Sequence, residues 1–417
     1  METFETSKLI LKKIVIDEIP FALALKTTFK KADVNPQLKS NITALIGCEL
    51  RHQLIFDNLI DRYLGDVSFE DSIYLRFYLA NRLFLKRFND AELRQLVYQG
   101  IDKNNADELI DFVTSTQEII PNDLDKSSPE FLSLRFNTPA WVIKMWQKQF
   151  GKPLVYKILK CNYHQSIPTL RVDTNKVSIA EFLKSHPDFT SSPVDDVLIF
   201  QGRGNPKSLD EFKESKIFFM KMATKYVIDQ ANIEPFKKVA IFSGVQNNIF
   251  LDIIARFKEN TYVDVITSHA QCYFETKRII GELNLNNVKT YHTEPQNIIT
   301  CVSEKVDYFF CLPSSTCLDL LRSTPDYFLR VKNEKLDEII AKEKLSLEES
   351  ASLVASKGKL IYMVPTLSKK ESTSLLGDFL ASHPNFELIE EKQFFPFDSF
   401  DSCLYYAILL NKGEASD

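Results

Sequence analysis

A strand pattern, a polar loop and a helix pattern follow one another around residue 240, an order typical of doubly wound α/β domains. Residues 239–242 form an apolar run that predicts a buried strand, and residues 250–254 begin the helix after it. Such domains usually carry a glycine-rich cofactor turn at this place, because glycine lets the backbone approach a ligand closely. Residues 243–248 retain a single glycine, Gly244, so we expect a strand-to-helix turn with an altered cofactor site.

Strand and helix patterns keep alternating after residue 205, which predicts a parallel sheet covered by helices. Residues 1–120 instead carry apolar residues at helical spacing, which predicts an all-helical domain. The polar stretch 121–129 indicates a linker, and residues 169–173 alternate as a half-buried strand. In the C-terminal part we expect strands at 239–242, 262–267, 288–291, 306–312, 359–364 and 403–410, and helices at 250–258, 273–283, 335–356 and 372–382.

The composition is that of a globular protein with a mildly acidic charge. A length of 417 residues favours two or three domains, and 44% hydrophobic with 26% charged residues is typical of soluble proteins. The net charge of −5 argues against a broadly basic surface. Any contact with nucleic acid must therefore come from a local basic patch.

Cysteine and histidine usage indicates neither disulfides nor a metal site. The seven cysteines are scattered without CxxC spacing, which favours reduced thiols and a cytoplasmic location. The six histidines show no paired ligand spacing, so no metal is expected. Residues 1–5 lack the features of a secretory signal, and no segment reaches the ~20 apolar residues of a membrane span. We therefore expect no membrane contact.

Four stretches, in order along nearly the whole chain, carry a resemblance to a known family. They are residues 45–51, residues 132–141 with a Ser-Leu-Arg and a Pro-Ala-Trp segment, residues 169–176 (Thr-Leu-Arg-Val-Asp-Thr-Asn-Lys), and residues 386–388 together with 400–407. The chain thereby resembles the RsmB/Sun family of ribosomal RNA (cytosine-C5) methyltransferases. None of these stretches is a catalytic signature alone, but their order and spacing make the resemblance specific for the fold.

The resemblance implies a multidomain α and α/β protein. Residues 1–125 would form an all-helical, NusB-like RNA-binding domain, and residues 130–205 a small α+β, RRM- or ferredoxin-like subdomain. Residues 206–417 would form a Rossmann-like methyltransferase domain. A member of the family transfers a methyl group from S-adenosylmethionine to C5 of a cytosine in rRNA, which requires a thiolate to attack C6.

The residues that the resemblance aligns with the cofactor site depart from the family pattern. Asn247 and Asn248 replace two glycines, and Thr267 replaces the acid that binds the ribose hydroxyls. A threonine shares one hydrogen bond where a carboxylate grips two hydroxyls. The degenerate cofactor pocket would comprise Ser243, Gly244, Asn247, Asn248, Thr267, Glu294 and Pro313. S-adenosylmethionine is the implied cofactor, and the substitutions leave open that no cofactor binds.

The family's two cysteine positions carry no thiol here. They fall at Ser314 and at Pro365, and no catalytic residue can be assigned. Cys317 lies near the first position, where a displaced thiol and an ordinary buried cysteine are both open alternatives. The glutamine-aspartate pair that helps to frame the cofactor is replaced by Met220 and Lys221.

The implied partner is RNA, specifically rRNA. The candidate contacts are Arg51, His52, Arg135 and Arg171, each of which could equally be an ordinary surface or core residue. Three functions remain in competition. The first is an RNA-binding protein with lost or much reduced methyl transfer, the second an active methyltransferase with displaced residues, and the third a scaffold that binds another protein.

Overall fold

The computed structural model describes residues 2–31, 35–116, 118–162, 164, 166–202 and 204–413. The chain forms two compact units, of which the first comprises residues 1–164 and 320–332 and the second residues 165–319 and 333–417. Met1, which opens the segment considered for a secretory signal, and residues 414–417 of the predicted third domain lie outside the described residues. The predicted division into three domains stays a prediction.

Helices and strands cover most of the described chain. The helices are α1 (Glu2–Val15), α2 (Phe21–Lys31), α3 (Pro36–Arg51), α4 (Gln53–Leu64), α5 (Phe69–Ala80), α6 (Asp90–Val97), α7 (Lys103–Ser115), α8 (Pro129–Phe136), α9 (Ala140–Phe150), α10 (Lys152–Asn162), α11 (Ile179–Ser185), α12 (Asp210–Lys213), α13 (Met222–Ala231), α14 (Ile249–Phe257), α15 (Ala270–Glu282), α16 (Tyr327–Arg330), α17 (Leu336–Ser352) and α18 (Thr373–Ser382). The strands are β1 (Thr169–Val172), β2 (Phe189–Ser191), β3 (Val197–Phe200), β4 (Ile217–Phe219), β5 (Lys238–Ser243), β6 (Tyr262–Thr267), β7 (Val288–His292), β8 (Val306–Leu312), β9 (Val354–Val364), β10 (Phe386–Phe394) and β11 (Leu404–Asn411). A π-helical turn, Asn81–Leu85, follows α5.

The first unit is helical, as the sequence predicts. The apolar stripes of α1 and of α3 to α7 meet in one core, because each helix buries its apolar face against the others. Asn137, in left-handed conformation, joins two helix ends: its Nδ2 donates to Leu50 O at 2.9 Å, and its Oδ1 accepts from Leu54 N at 3.0 Å. Residues 320–332 belong to this unit, and Asp326 Oδ2 accepts from Phe21 N at the start of α2, at 3.0 Å.

The second unit contains a small antiparallel sheet of order β2-β3-β1-β4. The predicted half-buried strand is β1, but the expectation of an exposed face is wrong, since all four of its residues are buried. Arg171 is the reason. Its Nε donates to Asp252 Oδ1 at 2.7 Å, so the face that the alternation pattern predicts to be exposed is covered by α14.

The larger sheet of the second unit has the order β10-β11-β9-β8-β5-β6-β7. The strands from β9 to β7 are parallel, and β11 and β10 close one edge in antiparallel sense. Apolar cores lie on both faces, because helices cover a parallel sheet on both sides. The predicted fold class is confirmed: a helical N-terminal part, a small α+β part and a Rossmann-like C-terminal part.

Candidate functional site

The candidate site lies at the carboxyl ends of β5 and β8, where the strand order of the large sheet reverses. Connections leave this point in opposite directions, so open α/β sheets form a crevice there and bind ligands in it. The loop of residues 243–248 follows β5, and Pro313 and Ser314 follow β8. The fold therefore brings the two predicted loops to the same edge of the sheet.

The turn after β5 is held by hydrogen bonds within the protein. Ser243 Oγ accepts from a main-chain amide of the turn at 3.2 Å. Asn247 Oδ1 accepts from the amide of Ile249, the first residue of α14, at 3.1 Å. Asn248 Nδ2 donates to the carbonyl of Phe219 at 2.8 Å. The two asparagines that the resemblance aligns with glycines thus fix the turn to its neighbours.

Gly244 packs directly against the segment after β8. Its amide donates to Leu312 O at 2.8 Å, and Ser314 Oγ donates to its carbonyl at 3.4 Å. A Cβ at this position would lie 2.1 Å from Ser314 Oγ and 2.4 Å from Ser314 N. Close packing of two loops of the protein is therefore a sufficient reason for glycine here.

Thr267 lies beside the turn, and Glu294 lies farther along the same edge. The parallel register pairs Ser243 with Thr267 and Thr267 with His292, and Glu294 follows two residues later. Thr267 is buried, and its Oγ1 accepts from the amide of His269 at 3.1 Å. The Glu294 side chain is exposed and forms no helix-cap hydrogen bond.

The segment after β8 contains the nearest thiol. Pro313 is buried, Ser314 is exposed, and Cys317 has a left-handed φ of 53°. The amide of Cys317 donates to Ser315 Oγ at 3.1 Å, which supports this uncommon conformation. Burial raises the pKa of the Cys317 thiol. Because the thiolate is the nucleophile, a raised pKa argues against Cys317 as a displaced catalytic residue.

Pro365 lies at the end of β9, half-buried, and a polar network surrounds the next residue. Thr366 Oγ1 donates to Glu371 Oε2 at 2.6 Å. Thr316 donates to the same carboxyl group twice, from its amide at 2.8 Å and from Oγ1 at 2.9 Å. Glu371 therefore joins the segments that follow β8 and β9, next to both positions that the resemblance aligns with cysteines.

Sequence reasoning missed this network and a second buried carboxyl group beside it, that of Glu343. The available signal was the apolar stripe of α17, on which Ile340, Leu347 and Ala351 share a face. Glu343 lies on that stripe, so helical spacing alone would have placed it in the interior. The structure confirms that it is buried.

The RNA-binding candidates of the first unit differ in exposure. Arg135 is exposed at the end of α8, and Arg51 is half-buried with its guanidinium donating to Gly47 O at 3.4 Å. His52 stacks on Phe84 with 3.5 Å between ring centroids, and burial lowers the pKa of His52 to about 4. The imidazole is therefore neutral at physiological pH and offers no positive charge to a phosphate.

Arg171, the fourth RNA-binding candidate, is 3% exposed. Besides its bond to Asp252, its Nη2 lies 3.3 Å from Asp196 Oδ2. Asp252 also lies 2.7 Å from Arg256 Nε, so this guanidinium is part of a network of charges inside the second unit. The RNA-binding roles of these residues stay predictions.

Sequence reasoning also missed a basic surface on the first unit. Between Glu130 and Asp173 the chain has no acidic residue, although it carries 56 in 417 positions. Five lysines in this stretch lie exposed on α9 and α10, two helices that pack on each other: Lys144, Lys148, Lys152, Lys157 and Lys160. We call these five lysines, together with Tyr156, the α9–α10 face.

The α9–α10 face combines charge with an exposed aromatic ring. Lys152, Tyr156 and Lys160 are spaced by four residues, so they lie along one row of α10. Tyr156 is 44% exposed, and the edge of its ring contacts Phe136 with 5.8 Å between centroids. Arg135 lies over the Phe136 ring at 5.7 Å, which brings a predicted RNA-binding residue to the same cluster.

Neither a membrane-spanning helix nor a metal site is present in the described part of the chain. Among these residues, no helix is both long and apolar enough to cross a membrane. Within the same ranges, no group of three or more histidine, cysteine, aspartate or glutamate side chains is arranged to hold a metal ion.

Solved structures share this fold. A protein described as PH0851 superimposes with a TM-score of 0.78 at 18% identity over 97% of this chain and 98% of that one. A methyltransferase homolog protein from Pyrococcus horikoshii gives a TM-score of 0.58 at 14% identity, covering 69% of this chain and all of its own. NSun6 from Pyrococcus horikoshii, determined with SFG, gives a TM-score of 0.59 at 11% identity, covering 65% of this chain and 98% of its own.

These likenesses confirm the resemblance at the level of the fold, which the chain shares with a methyltransferase homolog protein and with NSun6. No protein-family model matches the chain, and no curated protein matches it in sequence. At identities of 18% and below, a shared fold does not carry a shared reaction.

Proposed function

We propose that this chain is an RNA-binding protein, built on an RNA-methyltransferase-like fold, in which methyl transfer is lost or much reduced. The observation that carries the proposal is the α9–α10 face, a local basic surface with an exposed aromatic ring on a protein whose net charge is −5. Lysines bind the phosphate backbone, and an aromatic ring offers a stacking surface to an unpaired base. The partner is then RNA, with rRNA as the expected class.

Three features support the loss of methyl transfer. Gly244 is packed against Ser314, and Thr267 Oγ1 is engaged by a main-chain amide. Pro365 offers no nucleophile at the position where the reaction requires a thiolate. The side chains of Ser243, Asn247 and Asn248, which would border a bound S-adenosylmethionine, already form hydrogen bonds within the protein.

The location included in this proposal is the cytoplasm. The support is the set of cysteines, none of which forms a disulfide within the described residues, as expected for a reducing compartment.

RNA titrations of a charge variant test the proposal. Lys148, Lys152 and Lys160 are exposed and form no ion pair within the described residues, so K148Q/K152Q/K160Q removes charge without breaking an ion pair of the fold. The probes are a single-stranded RNA and a duplex of equal length. Three lost phosphate contacts should lower the slope of log K against log salt by roughly 2 for the single strand.

The matched control is K26Q/K30Q/K305Q, which makes the same change of charge at three exposed lysines outside this face. We expect the control to retain most of the affinity. In addition, Y156A should weaken binding of the single strand by about tenfold, because stacking is worth ~1–3 kcal/mol per base. Equal losses in both triple variants, or no RNA affinity at low salt, would contradict the proposal, and the latter would favour a protein-binding scaffold.

A further inference from the structure

Two carboxyl groups lie buried in the second unit, beside the segments that follow β8 and β9. Glu343, on α17, is 0% exposed, and Glu371, in the connection between β9 and α18, is 1% exposed. Acidic side chains are almost never fully buried unless a partner compensates them. Each of these two groups therefore requires an explanation.

Glu371 has its partners. Its carboxyl oxygens accept from the amide and hydroxyl of Thr316 and from the hydroxyl of Thr366. Its main-chain carbonyl accepts from Tyr362 OH at 2.9 Å. The carboxyl group of Glu371 is thus the acceptor that holds the segment after β8 to the segment after β9.

Glu343 has no such donors. No hydrogen-bond donor of the described residues reaches either of its carboxyl oxygens, and the polar group that faces it is the carboxyl of Glu371, itself an acceptor. The other titratable groups around it are the Cys317 thiol after β8, Tyr362 on β9 and Cys311 on β8. None of these groups is a cation.

A charged Glu343 is therefore unfavourable. Burial and the facing Glu371 carboxyl raise the pKa of Glu343 to about 11. Two adjacent carboxyl groups in such a place cannot both ionise, and a protonated carboxyl becomes a hydrogen-bond donor. One proton would convert two facing acceptors into a hydrogen-bonded pair.

We propose that Glu343 keeps its proton at neutral pH and donates a hydrogen bond to Glu371, and that this shared proton helps to hold the segments after β8 and β9 together. A metal ion fits the place less well, because Ca²⁺ or Mg²⁺ takes six or more oxygen ligands and the oxygens of Glu371 already accept three donors.

Infrared spectroscopy tests the protonation directly. At about pH 9 an ordinary carboxyl group is ionised, so a C=O band of a carboxylic acid would report an unusual group. We expect this band in the wild-type protein, its loss in E343Q and its retention in E49Q. Glu49 is the matched control because it is also buried, lies near Arg76, and has a pKa raised by burial to about 7, so it is ionised at this pH.

Hydrogen exchange tests the structural role. E343Q keeps a neutral donor and should leave the exchange of residues 313–318 and 366–372 unchanged, whereas E343A should accelerate both by about tenfold. The segment after β6, residues 268–271, serves as the internal reference. Absence of the acid band in the wild-type protein at pH 9, or its persistence in E343Q, would overturn the protonation. Equal exchange in E343A and wild type would overturn the link between the two segments.

Discussion

The charge network around Asp252 should be the most costly place to remove a single charge from the second unit. Asp252 is 0% exposed and lies 2.7 Å from both Arg171 Nε and Arg256 Nε. D252N keeps the shape of the side chain and leaves Arg171 buried with Asp196 as its remaining carboxylate. Leaving a buried charge without its main partner costs about 3–5 kcal/mol.

Removal of the Arg171 charge should cost less stability than removal of the Asp252 charge. R171M leaves Asp252 with Arg256, which lies one turn farther along α14 and is partly exposed. We therefore expect a loss of about 2 kcal/mol for R171M, since one charged partner persists and the methionine fills the apolar part of the site. The matched control is E282Q in the exposed pair with Arg278, which should change stability by less than ~0.5 kcal/mol.

The assay has to separate the two units. Both tryptophans of the chain, Trp141 and Trp146, belong to the first unit, so their fluorescence in urea reports that unit. Native-state hydrogen exchange of the amides in β1 and α14 gives the opening free energy of the second unit. A D252N cost below about 1 kcal/mol, close to that of E282Q, would refute the view that the buried network fastens the small sheet to α14.

Three further outcomes follow from other contacts. G244A should destabilise the second unit by about 1–3 kcal/mol, because the new Cβ meets Ser314. G281A has open space around it in α15 and should stabilise the same unit by up to ~1 kcal/mol. Urea unfolding followed by circular dichroism compares the two variants. N137A should cost about 2 kcal/mol in tryptophan-detected unfolding of the first unit, because it removes two hydrogen bonds and a favourable left-handed residue, and N137G should cost less. The raised pKa of Glu343 means that the unfolded state releases a proton that the folded state keeps, so the free energy of unfolding falls as pH rises. Between about pH 7 and about pH 8.5 the wild type should lose about 2 kcal/mol more stability than E343Q. Parallel stability–pH profiles of the two proteins would contradict this.

The local patterns of the large sheet predicted its strands closely. The expected strands 262–267 and 306–312 match β6 and β8, because parallel strands buried on both faces read as continuous apolar runs bounded by polar loops. The turn after β5 was located for the same reason. Strand order, and therefore the meeting of Ser314 with Gly244, requires long-range pairing that no local pattern contains.

The misinterpreted residues are those whose surroundings come from distant parts of the chain. Arg171 looked like the exposed side of an alternating strand, yet its partner Asp252 lies 81 residues away in sequence. Asp326 joins the start of α2 across 305 residues. Glu343 was missed altogether, and its burial depends on how α17 packs on the sheet. Hydrophobic spacing could have flagged Glu343, but not its facing partner.

Equilibrium dialysis with labelled S-adenosylmethionine, in the presence and absence of RNA, distinguishes an RNA-binding protein without methyl transfer from an active enzyme. We expect RNA binding through the α9–α10 face, no saturable cofactor binding up to about 1 mM, and no labelled methyl group on the RNA. Saturable micromolar binding of the cofactor with transfer of its methyl group to a cytosine would contradict the account and establish an active enzyme with displaced residues.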